Sequence, residues 1–159
     1  MKNQKGFSLI ELLVVVIIIG IIAAIAIPNL LASRRASQEA AAVSALRTIV
    51  SANSTYQATV GGGVDYAHLS VLDDAANGSL IDTTLASGTK GGYTFTMTGP
   101  VAATPAPAYC VTATIADAAY REYSVATDGV IKTNVGNLAS GAVPTCEADF
   151  TTTGAVLGN

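Results

Sequence analysis

The sequence predicts an α+β fold: a long N-terminal α-helix, membrane-spanning in its lower half and amphipathic in its upper half, packed on a three- to four-stranded antiparallel sheet. Three observations predict it. The run from Phe7 to Leu31 is almost wholly apolar. The residues that follow keep good helix formers and repeat apolar side chains every three or four positions. From Gly91 onward the pattern changes to short β-rich runs separated by Gly, Pro, Asp and Asn.

The first element is a short polar leader, MKNQKG, residues 1–6. The apolar run follows at once, and its 16 residues from Leu12 to Ile27 lack any polar side chain. Counting on to Leu31 gives about 20 usable residues, or about 30 Å of helix, enough to cross the hydrocarbon core of a bilayer. Lys2 and Lys5 before the run favour retention of the N-terminus in the cytoplasm. A secretory signal would be cut after its apolar region at a small-x-small site, which Ala23–Ala26 could mimic. Glu11 argues against that reading, because a signal core has no use for a carboxylate.

An isolated carboxylate in or near lipid costs several kcal/mol unless it is neutralised or partnered, so Glu11 is a functional candidate. No basic side chain occurs between Lys5 and Arg34. Removal of the leader would create an α-amino group at Phe7, four residues away on the same chain and equally available from a neighbouring one. Pro28 lacks an N–H and clashes with the carbonyl of residue 24, which predicts a kink or opening there. Gly20 lowers helix propensity and, with Ala24, leaves a shallow surface for close helix contact.

GFSLIELLVVVIIIGIIAAIAIPNL, Gly6 to Leu30, resembles the N-terminal signature of type IV pilins and the related pseudopilins of type II secretion, a likeness that extends from residue 5 to about residue 35. The resemblance implies a pilin fold. It implies that a prepilin peptidase cuts after Gly6 and methylates the new N-terminal Phe7. It places on Glu11 the glutamate that neutralises the N-terminal amine of an adjacent subunit during assembly. It places on Gly20 and Pro28 the family's helix-breaking pair, between which helical order is lost in filaments. The implied partners are copies of the chain in a helical filament, a cytoplasmic assembly ATPase, a polytopic platform protein and the peptidase. The expected role is that of a major pilin of a type IV pilus serving adhesion, twitching motility or DNA uptake, with a type II secretion pseudopilin or minor pilin as the alternative. The precursor is expected in the inner membrane and the product in an extracellular surface filament, or in the periplasm for a pseudopilin.

Beyond Pro28 the helix continues. Glu39, Val43, Leu46, Val50 and Asn53, widened by Ala42 and Ile49, form a stripe that weakens at Ser54 and ends before Gly61-Gly62-Gly63. One helix over 7–57, transmembrane over about 7–31, is followed by a connector over 58–90. In it Tyr66, Leu69 and Leu72 predict a turn or two of helix, Asp73-Asp74 and Asn77-Gly78 its end, and Val64, Leu80, Ile81 and Leu85 the anchors. His68 reads as locally satisfied. The head over 91–159 carries GYTFTMT, AYCVTATI, YREYSVAT and GVIKTNV as strands. Asp128-Gly129 is expected as a two-residue turn, and Val101–Pro107 as an exposed proline loop.

Composition bounds the function. Charged residues are 12% of the 159. The head has few large side chains with which to build a core, and Cys110 and Cys146 are candidates for added support. Their pairing would close a loop of about 37 residues, for which loop entropy gives roughly 4 kcal/mol, and would place the head in an oxidising compartment. The pair also resembles the disulfide that encloses the C-terminal loop of many major pilins. Net charge is −3, and loss of Lys2 and Lys5 leaves six basic against eleven acidic side chains. With Arg34, Arg35 and Arg47 as the only basic strip, DNA binding by this subunit alone is not expected. One His, no nucleophile-base motif and no phosphate-binding glycine loop argue against an enzyme. Glu147 and Asp149, even with Asp117 or Asp128, do not have the spacing of a calcium loop, so no metal or other cofactor is expected.

Overall fold

The structure is a computed structural model and describes residues 6–101, 108–117, 119–134 and 155–156. The chain divides into two compact units, Met1–Ser37 and Gln38–Asn159. Helix α1, Leu9–Thr59, contributes its apolar residues to the first and its amphipathic residues to the second.

In the second unit α1 buries Ala42, Ala45, Leu46, Ile49, Ala52 and Asn53, a three-and-four spacing that gathers them on one face. Leu46 and Ile49 are fully buried. The three alanines on that face let the helix backbone approach its neighbours closely. The helix stops because the Gly61 N–H turns back to the carbonyl of Tyr56 and that of Gly63 to the carbonyl of Gln57, each at 2.9 Å. Gly62 and Gly63 have φ of 59° and 82°, the left-handed region where a side chain is penalised. A Cβ at Gly61 would overlap the carbonyl of Asp65.

The connector returns along the helix. Oδ1 of buried Asn53 accepts the Ala67 N–H at 2.9 Å, tying the two segments across the glycine turn. Three short helical pieces follow: α2 (Leu69–Leu72), a 3₁₀ turn (Ala75–Asn77) and α3 (Thr83–Ala86). Asp74 caps the 3₁₀ turn and Asp82 caps α3 through their side-chain oxygens. Leu72 and Leu85 are fully buried, Ile81 is buried and Leu80 half-buried, whereas Val64 is 56% exposed and anchors nothing. α3 carries too few residues for its period to be read. His68 lies just before α2, its side chain exposed and making no cap bond, so it is solvated rather than locally satisfied.

The sheet is an antiparallel meander in the order β1 to β6: β1 (Thr89–Lys90), β2 (Tyr93–Val101), β3 (Ala108–Thr114), β4 (Glu122–Ala126), β5 (Ile131–Asn134) and β6 (Ala155–Val156). β2 to β5 are the four longer strands, and β1 and β6 extend them by two-residue edges. β1 arises from a hairpin turn at Gly91-Gly92, whose φ of 63° and 89° suit a tight turn that the residue pattern had not revealed. The β4–β5 turn is longer than the two residues expected at Asp128-Gly129. Val125 pairs with Ile131, Gly129 N–H bonds to Ala126 O, and the Asp128 carboxylate accepts the Val130 N–H. That side-chain bond stabilises an unpaired Val130 and so widens the loop.

Alternation puts Tyr93 and Phe95 of β2, Tyr109, Val111 and Ala113 of β3, and Tyr123 and Val125 of β4 in one core with the helix face. Cys110, Thr112, Glu122 and Ser124, at the alternate positions, are buried as well. The proline loop after Val101 and the tail containing Cys146, Glu147 and Asp149 lie outside the described residues.

Candidate assembly helix

In the first unit every large apolar side chain from Phe7 to Leu31 is exposed, from 46% at Val14 to 83% at Leu9. This part of α1 is long and apolar enough to cross a membrane, and none of its most apolar window is buried within the protein. Water would not tolerate such a surface, so its environment is lipid or other helices.

Glu11 lies in the first turn of α1, is exposed, and has no ion-pair partner among the described residues. Its carboxylate complements the positive end of the helix dipole. Gly6 and Phe7 precede the helix in non-helical backbone, and Phe7 is 78% exposed. The helix runs unbroken through Gly20 and Pro28, so the opening expected at Pro28 does not interrupt it here. Pro28 still withholds the donor that the Ala24 carbonyl would receive. Asn29 Nδ2 donates to the Ile25 carbonyl at 3.2 Å, and a Cβ on Gly20 would meet nothing within 4 Å.

Where the second unit begins, polar side chains of α1 meet the sheet. Tyr120 Oη donates to Gln38 Oε1 at 2.7 Å, the Arg121 N–H to Glu39 Oε1 at 3.2 Å, and Tyr123 Oη to Glu39 Oε2 at 3.3 Å. Tyr93 Oη donates to the Arg121 carbonyl at 2.8 Å. Burial, reinforced by the Glu39 charge and its hydrogen bond, pushes the Tyr123 phenol up to about 12. Burial also raises Tyr93 above the usual tyrosine range, with Tyr123 and Glu39 adding to it. Glu39 begins the predicted helix stripe, yet its role as an acceptor for Tyr123 of β4 and for Arg121 just before that strand was not legible, because both lie more than eighty positions away. Gln38 carried no signal at all.

Cys110 is buried on β3, and its expected partner Cys146 lies outside the described residues. Asn53-Ser54-Thr55 has the form of a glycan acceptor, but Asn53 is fully buried in the folded head. The described residues contain no group of three or more side chains able to hold a metal ion.

A family profile described as the prokaryotic N-terminal methylation motif matches residues 1–27. The N-terminal third of the chain is similar to type IV pilins and to type II secretion pseudopilins, and it carries the methylation motif that they share. Among its relatives, the type IV wide pilus major component PilA4 of Thermus thermophilus is 47% identical over 57 residues, 36% of this chain and 44% of that one. A fimbrial protein of Pseudomonas aeruginosa is 55% identical over 51 residues, 30% of this chain and 33% of that one. The type II secretion system core protein G of Vibrio cholerae is 37% identical over 57 residues, 36% of this chain and 39% of that one. The chain thus spans less than half the length of these relatives. No solved structure matches it. The pilin-like architecture is carried by the structure itself, a long N-terminal helix packed on an antiparallel sheet.

Because relatives of both kinds align over similar lengths, the comparisons support a general filament-forming or secretion role. They favour the broader alternative, pseudopilin or minor pilin, over the narrower assignment to a major pilin.

Proposed function

We propose that this protein is a non-catalytic subunit of a helical filament in the bacterial envelope, of the class that embraces type IV pili and type II secretion pseudopili. One observation carries the reading: an apolar stretch whose large side chains are all exposed from Phe7 to Leu31, in a chain whose other unit has its own core. Lipid satisfies that surface in the precursor, and the same segments of other copies satisfy it in the filament. The chain accordingly divides by role into leader 1–6, helix 7–57, connector 58–90 and head 91–159.

In this reading the peptidase cuts after Gly6 and Phe7 is methylated. Glu11 of an incoming subunit then pairs with a Phe7 amine in the growing filament. Placing a carboxylate unpaired within hydrocarbon costs about 2.5–3.5 kcal/mol, so the pairing favours insertion in one register. Gly20 and Pro28 mark the stretch that gives way on packing. Withdrawing the helix from lipid is uphill, which calls for an ATPase and a platform protein in the membrane. The burial of Cys110, with no free cysteine among the described residues, supports a Cys110–Cys146 bond formed outside the cytoplasm.

Between the two filament classes, the secretion pseudopilin or minor subunit is the better supported reading. The test is fractionation of native cells after shearing, followed by electron cryo-microscopy of whatever is released. Processed protein that stays with the envelope at normal expression supports the pseudopilin or minor-subunit reading. Long extracellular fibres built mainly of this chain overturn it in favour of a major pilin, and a chain that never enters any filament overturns the proposal itself.

A further inference from the structure

Among the described residues the β1 edge of the sheet is open where β1 ends. β1 pairs only with Tyr93 and Thr94, whereas β2 pairs with β3 through Thr98 and again at Val101. The Phe95 N–H donates to the Gly88 carbonyl, which fixes the parity of the strand: Phe95 and Met97 turn their backbone groups away from β3. The Gly88 N–H does not answer Phe95, since it bonds to Leu85 O at the end of α3. Continuation of β1 would place Ala86 opposite Met97, but Ala86 is helical. The Phe95 carbonyl and the N–H and carbonyl of Met97 are therefore a short row of ladder groups that no described residue pairs where β1 bends into α3.

A shallow groove of about 330 Å³ runs along this same edge. Its lining includes half-buried Met97 over buried Leu69 and Phe95, the hydroxyls of Ser70, Ser87 and Thr96, and the exposed His68 imidazole, with no Asp, Glu, Lys or Arg. The nearby charge on β1, Lys90, is engaged by Asp82. Exposed edges are usually blunted by an unengaged lysine, a proline or a bulge. Across Thr96, Met97 and Thr98 none of these stands, and the bulge comes only after Thr98.

We propose that this edge of β2 is a docking site for an extended, uncharged polypeptide segment of a partner protein, added as a short seventh strand opposite Met97. Extended backbone supplies donor and acceptor together in the order the open row requires, which a sugar or a small anion does not. A small apolar side chain of the segment fills the groove over Leu69 and Met97, and hydroxyl or small side chains meet Ser70, Ser87 and Thr96. No carboxylate, ammonium or guanidinium lines the groove, and His68 is its one titratable side chain, so an uncharged segment fits it without leaving an ion unpaired. Three open groups give weak binding to one copy. Repetition along a filament would strengthen it by multivalency, and only that strengthening rests on the filament reading.

The test uses the processed full chain in detergent micelles and an acetylated, amidated Thr-Val-Thr-Val-Thr peptide, followed by amide NMR. Expected are shifts and slowed exchange centred on Met97, with a dissociation constant on the order of 1 mM. N-methylating the peptide on one alternating set of residues should weaken binding about ten-fold or more, while N-methylating the other set should not. Met97→Pro should also abolish binding and keep the fold, because the lost N–H faces away from β3 and Thr96 is already extended. If that variant fails to fold, the two methylated peptides decide alone. Equal binding by both of them, shifts elsewhere in the head, or no binding at millimolar peptide overturns the proposal. So does the appearance of the same shifts on raising protein concentration without peptide, which would make a second copy the occupant.

Discussion

Two stretches of one helix obey different rules. From Gln38 to Thr59, α1 presents Ala42, Ala45, Leu46, Ile49 and Ala52 to a core and leaves Ser44, Arg47, Thr48 and Ser51 in solvent. From Leu9 to Leu31 the same regular backbone has no polar side at all. The amphipathic stretch is completed by its own chain. The apolar stretch has no such cover among the described residues; in the proposed reading lipid or other subunits supply it, and its one carboxylate, Glu11, shares that dependence. Secondary structure is thus the same in both, and side-chain pattern alone decides which half belongs to the fold and which to the assembly.

The sharpest way to break this contrast is Glu11→Ala. We expect the precursor to be inserted and cleaved as before, and filaments to be lost almost entirely, measured by shearing and by envelope fractionation. Normal filaments from this variant would remove charge pairing from the account and leave helix packing alone to set register.

The next largest effect compares one buried and one exposed aliphatic residue. Leu46→Ala empties a fully buried site and should destabilise the head by about 2–5 kcal/mol in detergent-solubilised protein. Ile18→Ala, in the exposed stretch, should leave the unfolding of the head unchanged and reduce filament yield instead. Equal losses of head stability from both would mean that the two stretches are not energetically separate. Below this comes Cys110→Ser, for which loss of the proposed bond to Cys146 should cost about 2–4 kcal/mol, with Cys146→Ser behaving alike. Reduction of the wild-type chain should reproduce the shift in melting temperature. A variant as stable as the parent, and insensitive to reductant, would leave the tail unpinned.

The apolar stretch was the most legible part of the chain, since its function requires only composition and two or three placed residues. Glu11, Gly20 and Pro28 stood out because a charge or a helix breaker is unusual in an apolar run, whereas Gly6 and Phe7 were named on the family resemblance alone. The head was legible as three or four strands because Val, Tyr and Thr alternate between turn residues. It was less legible where pairing depends on distant partners. β1 has two residues and owes its existence to the Gly91-Gly92 turn, α3 has four, and Glu39 finds Arg121 and Tyr123 only after the sheet has formed. Asn53 looked like one more position on the stripe and proved to be a buried acceptor for Ala67.

The smallest expected effect returns to carboxylates and compares Asp82 with Glu11. Asp82 has its partners within the chain: the Lys90 ammonium, the Thr84 hydroxyl and the Leu85 N–H, in that order, hold its carboxyl well below the usual carboxylate range. A depressed folded-state value means that this stabilisation is fully present above the ordinary value of 3.8 and fades as pH falls from there toward the lowered one. The pair is half exposed, so the melting temperature should decline only slightly over that window, and less in high salt. Asp82→Asn should flatten the decline while leaving filament formation intact. Glu11 should behave in the opposite way, its substitution leaving the acid sensitivity of the head unaltered while assembly fails. A chain in which Asp82→Asn abolished filaments, or Glu11→Ala changed the acid unfolding of the head, would contradict the division between a self-sufficient unit and one completed by its neighbours.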